Sequence, residues 1–306
     1  MKGSSIGLAA DLGGTHARFL LNAGGLRRVK LEARAHDSIE SVLAAALAEL
    51  KVDPRGLDVA LAVAGPVRDD HAQFTNLNWQ ADAEALVGRF GFRRVLLLND
   101  VEAAARAAAV GLPDGAAVVH AAPDDAASRH ALVSIGTGLG VAYWHGTRVQ
   151  PSEAGHAGFA PAPGWPTQLA VALGAETQRI TWERVLSGSG LCAVFAQLQG
   201  AKGVDAASVT RAAAAGEPDA LVAVSRFAYL LGLFVGDTVL AAPAPGGVLL
   251  AGGVIAGLSA VFDGTAFADG YLKGRQLAEI VAQAPVWRTD LDELALHGAL
   301  AALART

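Results

Sequence analysis

Leu96-Leu97-Leu98-Asn99-Asp100-Val101-Glu102-Ala103-Ala104-Ala105 is an apolar run that stops at two adjacent polar residues and resumes as an alanine-rich helix. The run reads as a buried parallel strand, and Asn99-Asp100 as the N-cap of the helix that follows. Glu102 and Arg106 form an i,i+4 pair on that helix. Asp100 has two readings. It is a cap that satisfies free helix N–H groups, or a carboxylate placed to meet a substrate hydroxyl, because ligands gather at the carboxyl ends of strands in open α/β sheets. The flanking sequence has to decide between them.

Toward the N-terminus, residues 57–64 read as a strand ending at Gly65-Pro66, and residues 38–50 have helical periodicity with Ser38 as N-cap. Residues 5–10 and 17–22 are strands joined by the glycine turn Asp11-Leu12-Gly13-Gly14-Thr15. Glycines admit a ligand close to the backbone, and successive N–H groups cradle phosphate oxygens. A carboxylate repels a phosphate, so in a nucleotide site Asp11 would face a hydrated Mg²⁺. Thr75-Asn76-Leu77-Asn78-Trp79 is a polar loop, its asparagines facing a ligand or making turns, and it leads into a helix over 82–90. A hairpin followed by alternating helices and strands predicts a mixed sheet with helices on its faces.

Beyond the opening stretch, residues 111–130 contain Pro113, Gly115, Pro123 and Asp124-Asp125 and read as loop, a natural boundary between lobes. The hairpin theme then returns: a strand over 131–135, the turn Gly136-Thr137-Gly138-Leu139-Gly140, and a strand over 141–144. Duplication is the economical inference. A third strand-to-glycine junction lies in Gly247-Val248-Leu249-Leu250-Ala251-Gly252-Gly253-Val254-Ile255. None of these is a Rossmann fingerprint or a Walker A sequence, so a nucleotide would be held by several turns drawn from distant sequence. Glu153-Ala154-Gly155-His156 has the Glu-x-x-His spacing of carboxylate metal sites, yet Gly155 and Gly158 argue against a helix and no second copy occurs. Directional hydrogen bonds to a polyol suit that pair better. Glu183, on spacing alone, reads as an exposed helical charge paired with a neighbour.

The 306 residues exceed one typical domain, and half of them are apolar with few aromatics. A net charge of −5 without a basic run gives no footprint for nucleic acid. Cys192 is the sole cysteine, which excludes a disulfide framework and cysteine-ligated zinc or iron–sulfur sites within one chain, and favours the cytoplasm. The first residues lack a signal-peptide pattern, and the apolar region 227–254 is interrupted by Asp237, two prolines and Gly246-Gly247, so no membrane span is expected.

Six segments in order resemble the bacterial glucokinase family of the hexokinase/actin-like superfamily: Asp11-Leu-Gly-Gly-Thr-His-Ala-Arg18, Leu97-Leu-Asn-Asp100, Ile135-Gly-Thr-Gly-Leu-Gly140, Glu153-Ala-Gly-His156, Glu183-Arg-Val-Leu-Ser-Gly188 and Leu250-Ala-Gly-Gly-Val254. The resemblance implies a two-lobed actin-like ATPase (ribonuclease H-like) α/β fold, with a mixed five-stranded sheet flanked by helices in each lobe and the active site in the interlobe cleft. The expected division is a small lobe over 1–109, joined by a C-terminal helix over about 292–306, and a large lobe over 110–291. By the same resemblance, Asp100 is the general base for the sugar 6-hydroxyl, and Asn99, Glu153, His156 and Glu183 are sugar ligands together with Asp100. Ala10, Asp11, Leu12, Gly13, Gly14 and Thr15 correspond to the first phosphate loop, Thr137 and Gly138 to the second, and Gly252 and Gly253 to the adenosine side. Asp11 would reach Mg²⁺ through water.

The implied activity is phosphorylation of glucose by MgATP in a homodimer, without nucleic acid or membrane. His16 stands where many relatives have Asn. The chain lacks the cysteine-rich zinc motif of the related repressor/kinase family, and no helix-turn-helix precedes Asp11. Two alternatives stay open from sequence: a kinase for another hexose or amino sugar, and a catalytically silent sugar-binding regulator on the same fold. The phosphoryl donor, ATP against ADP or polyphosphate, is also left open.

Overall fold

Gly7–Leu12 (β1), His16–Asn22 (β2) and Leu26–Glu32 (β3) form an antiparallel meander in the computed structural model, which describes residues 6–304 apart from 76, 124, 126, 201, 202 and 292. Asn76, Asp124 and the residues before Ile6 thus lie outside the described residues. The chain divides into two units, Met1–Leu112 with Glu293–Thr306, and Pro113–Asp292.

In the first unit, the helix Ile39–Leu50 (α1) is capped by Ser38, whose hydroxyl accepts from Ser41 N–H. It leads to Asp58–Val63 (β4), and after a small sheet of Val67–Arg68 (β5), His71–Gln73 (β6) and Gln80–Asp82 (β7) comes Ala83–Phe90 (α2), capped by Asp82. Arg94–Asn99 (β8) then runs into Asp100–Ala108 (α3). The main sheet has the order β3-β2-β1-β4-β8, with β1, β4 and β8 parallel. Leu8, Leu12, Val59, Leu61 and Val63 pack on one face against Val42, Leu43 and Leu47 of α1. Ala9, Ala60 and Ala62 face the other side with Ala103 of α3 and Leu296, Ala299 and Ala302 of the C-terminal helix Leu294–Leu303. Small residues let those two helices approach closely: a Cβ on Gly298 would lie 1.6 Å from the Ala103 carbonyl oxygen. β3 had no counterpart in the sequence reading because Leu26-Arg-Arg-Val-Lys-Leu-Glu32 buries only Val29, as befits a charged edge strand.

The second unit contains Ala117–His120 (β9), His130–Ile135 (β10), Leu139–His145 (β11), Arg148–Ser152 (β12) and, later, Gly247–Ala251 (β13) and Val286–Arg288 (β14). Their order is β12-β11-β10-β13-β14-β9. The pairings β10/β11 antiparallel and β10/β13 parallel repeat those of β1/β2 and β1/β4, so the device is used twice. This sheet has six strands where five were expected. The extra one, β9, falls inside the stretch read as loop: Ala117-Val118-Val119-His120 is too short to show a period, yet it pairs with β14 at the edge.

The helices of this unit are Trp165–Ala172 (α4), Trp182–Val185 (α5), Gly188–Gln199 (α6), Ala206–Ala214 (α7), Pro218–Ala241 (α8), Gly253–Gly257 (α9), Gly264–Leu272 (α10) and Ala278–Val281 (α11). α8 has the length and apolarity of a membrane span, but 61% of its apolar window is buried within the protein, as in a core helix. It packs against α10 through paired glycines: a Cβ on Gly232 would meet Phe267 O at 2.1 Å, and one on Gly270 would meet Tyr229 O at 2.0 Å.

Candidate active site

In the first unit the candidate residues collect at the carboxyl ends of β1 and β8. β1 carries on through Asp11 and Leu12, so the turn is Gly13–Thr15 and shorter than the sequence indicated. It is closed by Gly13 N–H donating to His16 O at 3.0 Å. His16 thus enters the turn through its carbonyl, a bond that does not depend on its side chain. Ala10 and Leu12 are fully buried core residues and can offer a ligand only backbone, whereas Gly13 and Gly14 are half-buried and Thr15 is exposed. Asp11 is paired with Arg18, its partner across the hairpin.

Asn99 and Asp100 divide the work that the sequence left undivided between them. Asn99 is the N-cap: its Oδ1 accepts from Val101 N–H at 3.0 Å and Glu102 N–H at 3.3 Å, and its Nδ2 donates to Gly65 O at 3.1 Å. Asp100 is the first helical residue, half-buried, and its Oδ1 accepts from Val101 N–H at 2.9 Å. Burial, and secondly the nearby Asp11 charge, push its carboxyl up to about 6 against the lowering effect of hydrogen bonds from the Val101 and Asp100 N–H groups and the Asn99 side chain. A carboxylate so poised is mostly ionised at neutral pH and still basic enough to accept a proton. Glu102 and Arg106 pair at 2.8 Å on the same helix.

In the second unit, Glu153, His156 and Glu183 converge. Glu153 precedes a single 3₁₀ turn, Ala154–His156, in the segment read as irregular loop. His156 Nε2 lies 3.8 Å from Glu153 Oε2, and His156 Nδ1 lies 3.9 Å from Glu183 Oε1. These separations are too long for hydrogen bonds, so polar capacity is left toward the exposed side. The pairing of Phe159 N–H with Ile180 O at 2.8 Å, and of Trp182 N–H with Ala157 O at 3.0 Å, brings α5 beside the 3₁₀ turn. Glu183 is therefore not merely the exposed helical charge paired with a sequence neighbour that spacing indicated: its side chain is 34% exposed, and its Oε2 accepts from Leu139 N–H at 3.1 Å. The contact spans 44 residues of chain, beyond the reach of helical periodicity. No cluster of three metal-ligating side chains occurs among the described residues.

The second and third glycine turns back onto each other. Gly252 has φ 98°, and a Cβ there would lie 2.4 Å from Ile135 O, so only glycine fits. Beside them is a cavity of about 620 Å³ whose wall includes Gly136, Thr137 and Gly253, but neither Gly138 nor Gly252. Its remaining wall comes from α6, α7 and α9, including Gly188, Cys192, Asp205 and Thr210. Apart from Gly188, which closes the Glu183 segment, these residues escaped the sequence reading, in which Cys192 served to exclude disulfides and cysteine-ligated metal sites and to favour the cytoplasm. The one available signal was Ser187-Gly188, a capped helix start at the end of the Glu183 segment. Burial and the Asp205 charge push the Cys192 thiol up, keeping it protonated.

A sequence model of the family described as Glucokinase matches residues 8–306. Among curated proteins, a glucokinase from Chromohalobacter salexigens is 33% identical over 319 residues, covering 97% of each chain. Among solved structures, glucokinase from an Antarctic psychrotroph has a TM-score of 0.82 at 28% identity and covers 98% of each chain. A glucokinase of the ROK family from Streptomyces griseus, solved in complex with glucose and AMPPNP, has a TM-score of 0.70 at 20% identity, covering 98% of this chain and 99% of its own. The α/β architecture described above is thus that of the actin-like sugar kinases.

Proposed function

This chain belongs to the glucokinase family, and on that premise we propose that it transfers the γ-phosphoryl group of ATP to the 6-hydroxyl of D-glucose. The observation that carries this reading is the state of Asp100: Asn99 performs the capping, and the Asp100 carboxyl, held up to about 6, is tuned for proton transfer near neutral pH. Asp100 accepts the proton of the 6-hydroxyl as its oxygen bonds to the γ-phosphorus. The bond from that phosphorus to the bridging oxygen of ADP breaks, and ADP leaves.

Glu153, His156 and Glu183 accept or donate to the other sugar hydroxyls, together with the Asn99 side chain. Alignment of this kind supplies much of the rate in phosphoryl transfer. The backbone N–H groups of Gly14, Thr137 and Gly138 suit phosphate oxygens. The cavity of about 620 Å³ beside Thr137 and Gly253 has room for the nucleoside. The site fits Mg²⁺ as well: one carboxylate, Asp11, without an all-protein cage matches an ion that keeps several waters and binds the phosphates of its substrate. Bound there, Mg²⁺ would neutralise charge on the transferring phosphoryl group. The same reading extends to a cytoplasmic homodimer, which family resemblance and the sole cysteine support.

The test is ADP release by purified protein with MgATP on addition of glucose, mannose, fructose or N-acetylglucosamine. The highest kcat/KM is expected for glucose. A higher value for another sugar would reassign the substrate, and no release with any sugar would remove the kinase reading.

A further inference from the structure

The turn that faces phosphate and the residues that face the sugar share atoms within the second unit. Leu139, which closes the turn as the register partner of Ile135, has both halves of its backbone engaged. Its N–H donates to Glu183 Oε2 at 3.1 Å. Its carbonyl oxygen lies so close to the loop of Glu153 and His156 that a Cβ on Gly155 would stand 2.0 Å away. Gly136 O accepts from Gly188 N–H at 2.9 Å, which fixes the other end of the turn to the segment just after α5. The Leu139 side chain, 5% exposed, is anchored in the core. A movement of Glu183 therefore reaches the turn directly.

We propose that Glu183 is a positioning residue that couples the two substrates: the carboxylate that meets the sugar through Oε1 holds the phosphate-facing turn through Oε2, so each substrate strengthens binding of the other. This rests on the glucokinase reading. Without sugar, Oε1 has only His156 at 3.9 Å among the described residues, and the single hydrogen bond from Leu139 N–H to Oε2 holds the carboxylate from one side. A sugar hydroxyl between them fixes the rotamer, and with it the hydrogen bond to Leu139. Nucleotide then meets a turn that is already ordered, and by linkage the effect is reciprocal.

Gly138 gives an independent handle. A Cβ there would lie 2.6 Å from Glu183 Oε2, the far end of a flexible side chain. Gly138→Ala should displace the carboxylate without harming the fold, because Gly138 is not among the glycines with positive φ. Glu183→Gln keeps a carbonyl oxygen for Leu139 N–H but changes what the sugar meets, and Glu183→Ala removes both contacts.

The experiment is calorimetric titration with glucose alone, and with a non-hydrolysable ATP analogue in the absence and presence of glucose. In wild type, glucose should tighten analogue binding by about fivefold or more. Gly138→Ala should weaken binding of glucose alone by about tenfold, although its residue faces phosphate. Glu183→Gln should weaken glucose and leave analogue binding unchanged, whereas Glu183→Ala should weaken both and abolish the enhancement; a merely structural role would not give this split. Normal glucose binding by folded Gly138→Ala, or full enhancement in Glu183→Ala, would overturn the coupling. Wild type that binds no glucose would overturn the glucokinase reading and the coupling with it.

Discussion

Asp11 and Arg18 are register partners across the first hairpin, and Arg18 Nη1 donates to Asp11 Oδ2 at 3.3 Å. The pair bears on catalysis because the Asp11 charge is the second cause, after burial, of the raised Asp100 carboxyl. Since Asp100 must be ionised to act as base, kcat/KM for glucose should fall about tenfold per pH unit below about pH 6. Asp11→Asn removes a negative charge and should move that limb to lower pH. Arg18→Leu leaves the Asp11 charge less compensated and should move it higher. Profiles recorded from pH 4.5 to 8 at fixed ionic strength check both signs; a limb that ignores the two substitutions would separate Asp11 from Asp100.

Asp100 should also oppose folding. Its folded value of about 6 lies above the ordinary 3.8, so the stabilising effect of the protonated carboxyl is complete below 3.8 and lost as pH rises through 6. Asp100→Asn, which cannot ionise, should be more stable than wild type by about 1–3 kcal/mol at pH 8, with the gain shrinking toward pH 4. Thermal unfolding at several pH values measures it. An Asp100→Asn protein less stable than wild type at pH 8 would mean that the charge serves the helix terminus more than burial penalises it.

Gly298→Ala should destabilise the first unit. The added Cβ would stand 1.6 Å from Ala103 O in α3, a backbone atom that cannot turn aside. Overpacking typically costs about 1–3 kcal/mol, and a backbone clash belongs at the upper end. Because α3 begins at Asp100, turnover should fall together with the unfolding midpoint. Unchanged values for both would show that the helices separate freely.

Ala207 lines the cavity beside Thr137 and is itself exposed. Ala207→Trp should fill the space that we assign to the nucleoside, raising KM for ATP about tenfold or more with glucose affinity preserved. Steady-state kinetics at saturating glucose test this, and an unaltered KM for ATP would place the nucleoside elsewhere.

Legibility from sequence followed the range of the interaction involved. The α1 helix and its Ser38 cap, the two hairpins and the strand before Asp100 are set by neighbours a few residues apart, through period and turn chemistry. β3 and β9 went unread because an edge strand buries too little to leave a pattern: Val29 is the only buried residue of the first, and the second has only four residues. The hydrogen bond from Leu139 to Glu183, the cavity wall from α6 and α7, and the contact of Gly298 with Ala103 all join distant segments. Spacing alone even gave Glu183 the wrong setting, and only the six-segment resemblance singled it out as a candidate sugar ligand. Asn99 and Asp100 were read together as a cap, and only the hydrogen bonds show which of them caps.

The proposed phosphoryl transfer depends most on Asp100 acting as a base. Its most direct test is a coupled assay for glucose 6-phosphate with purified protein, MgATP and glucose, run beside Asp100→Asn. Wild type should form product, and Asp100→Asn should bind glucose normally yet lose about 10²- to 10⁴-fold in kcat. Equal turnover by the two proteins would contradict the mechanism.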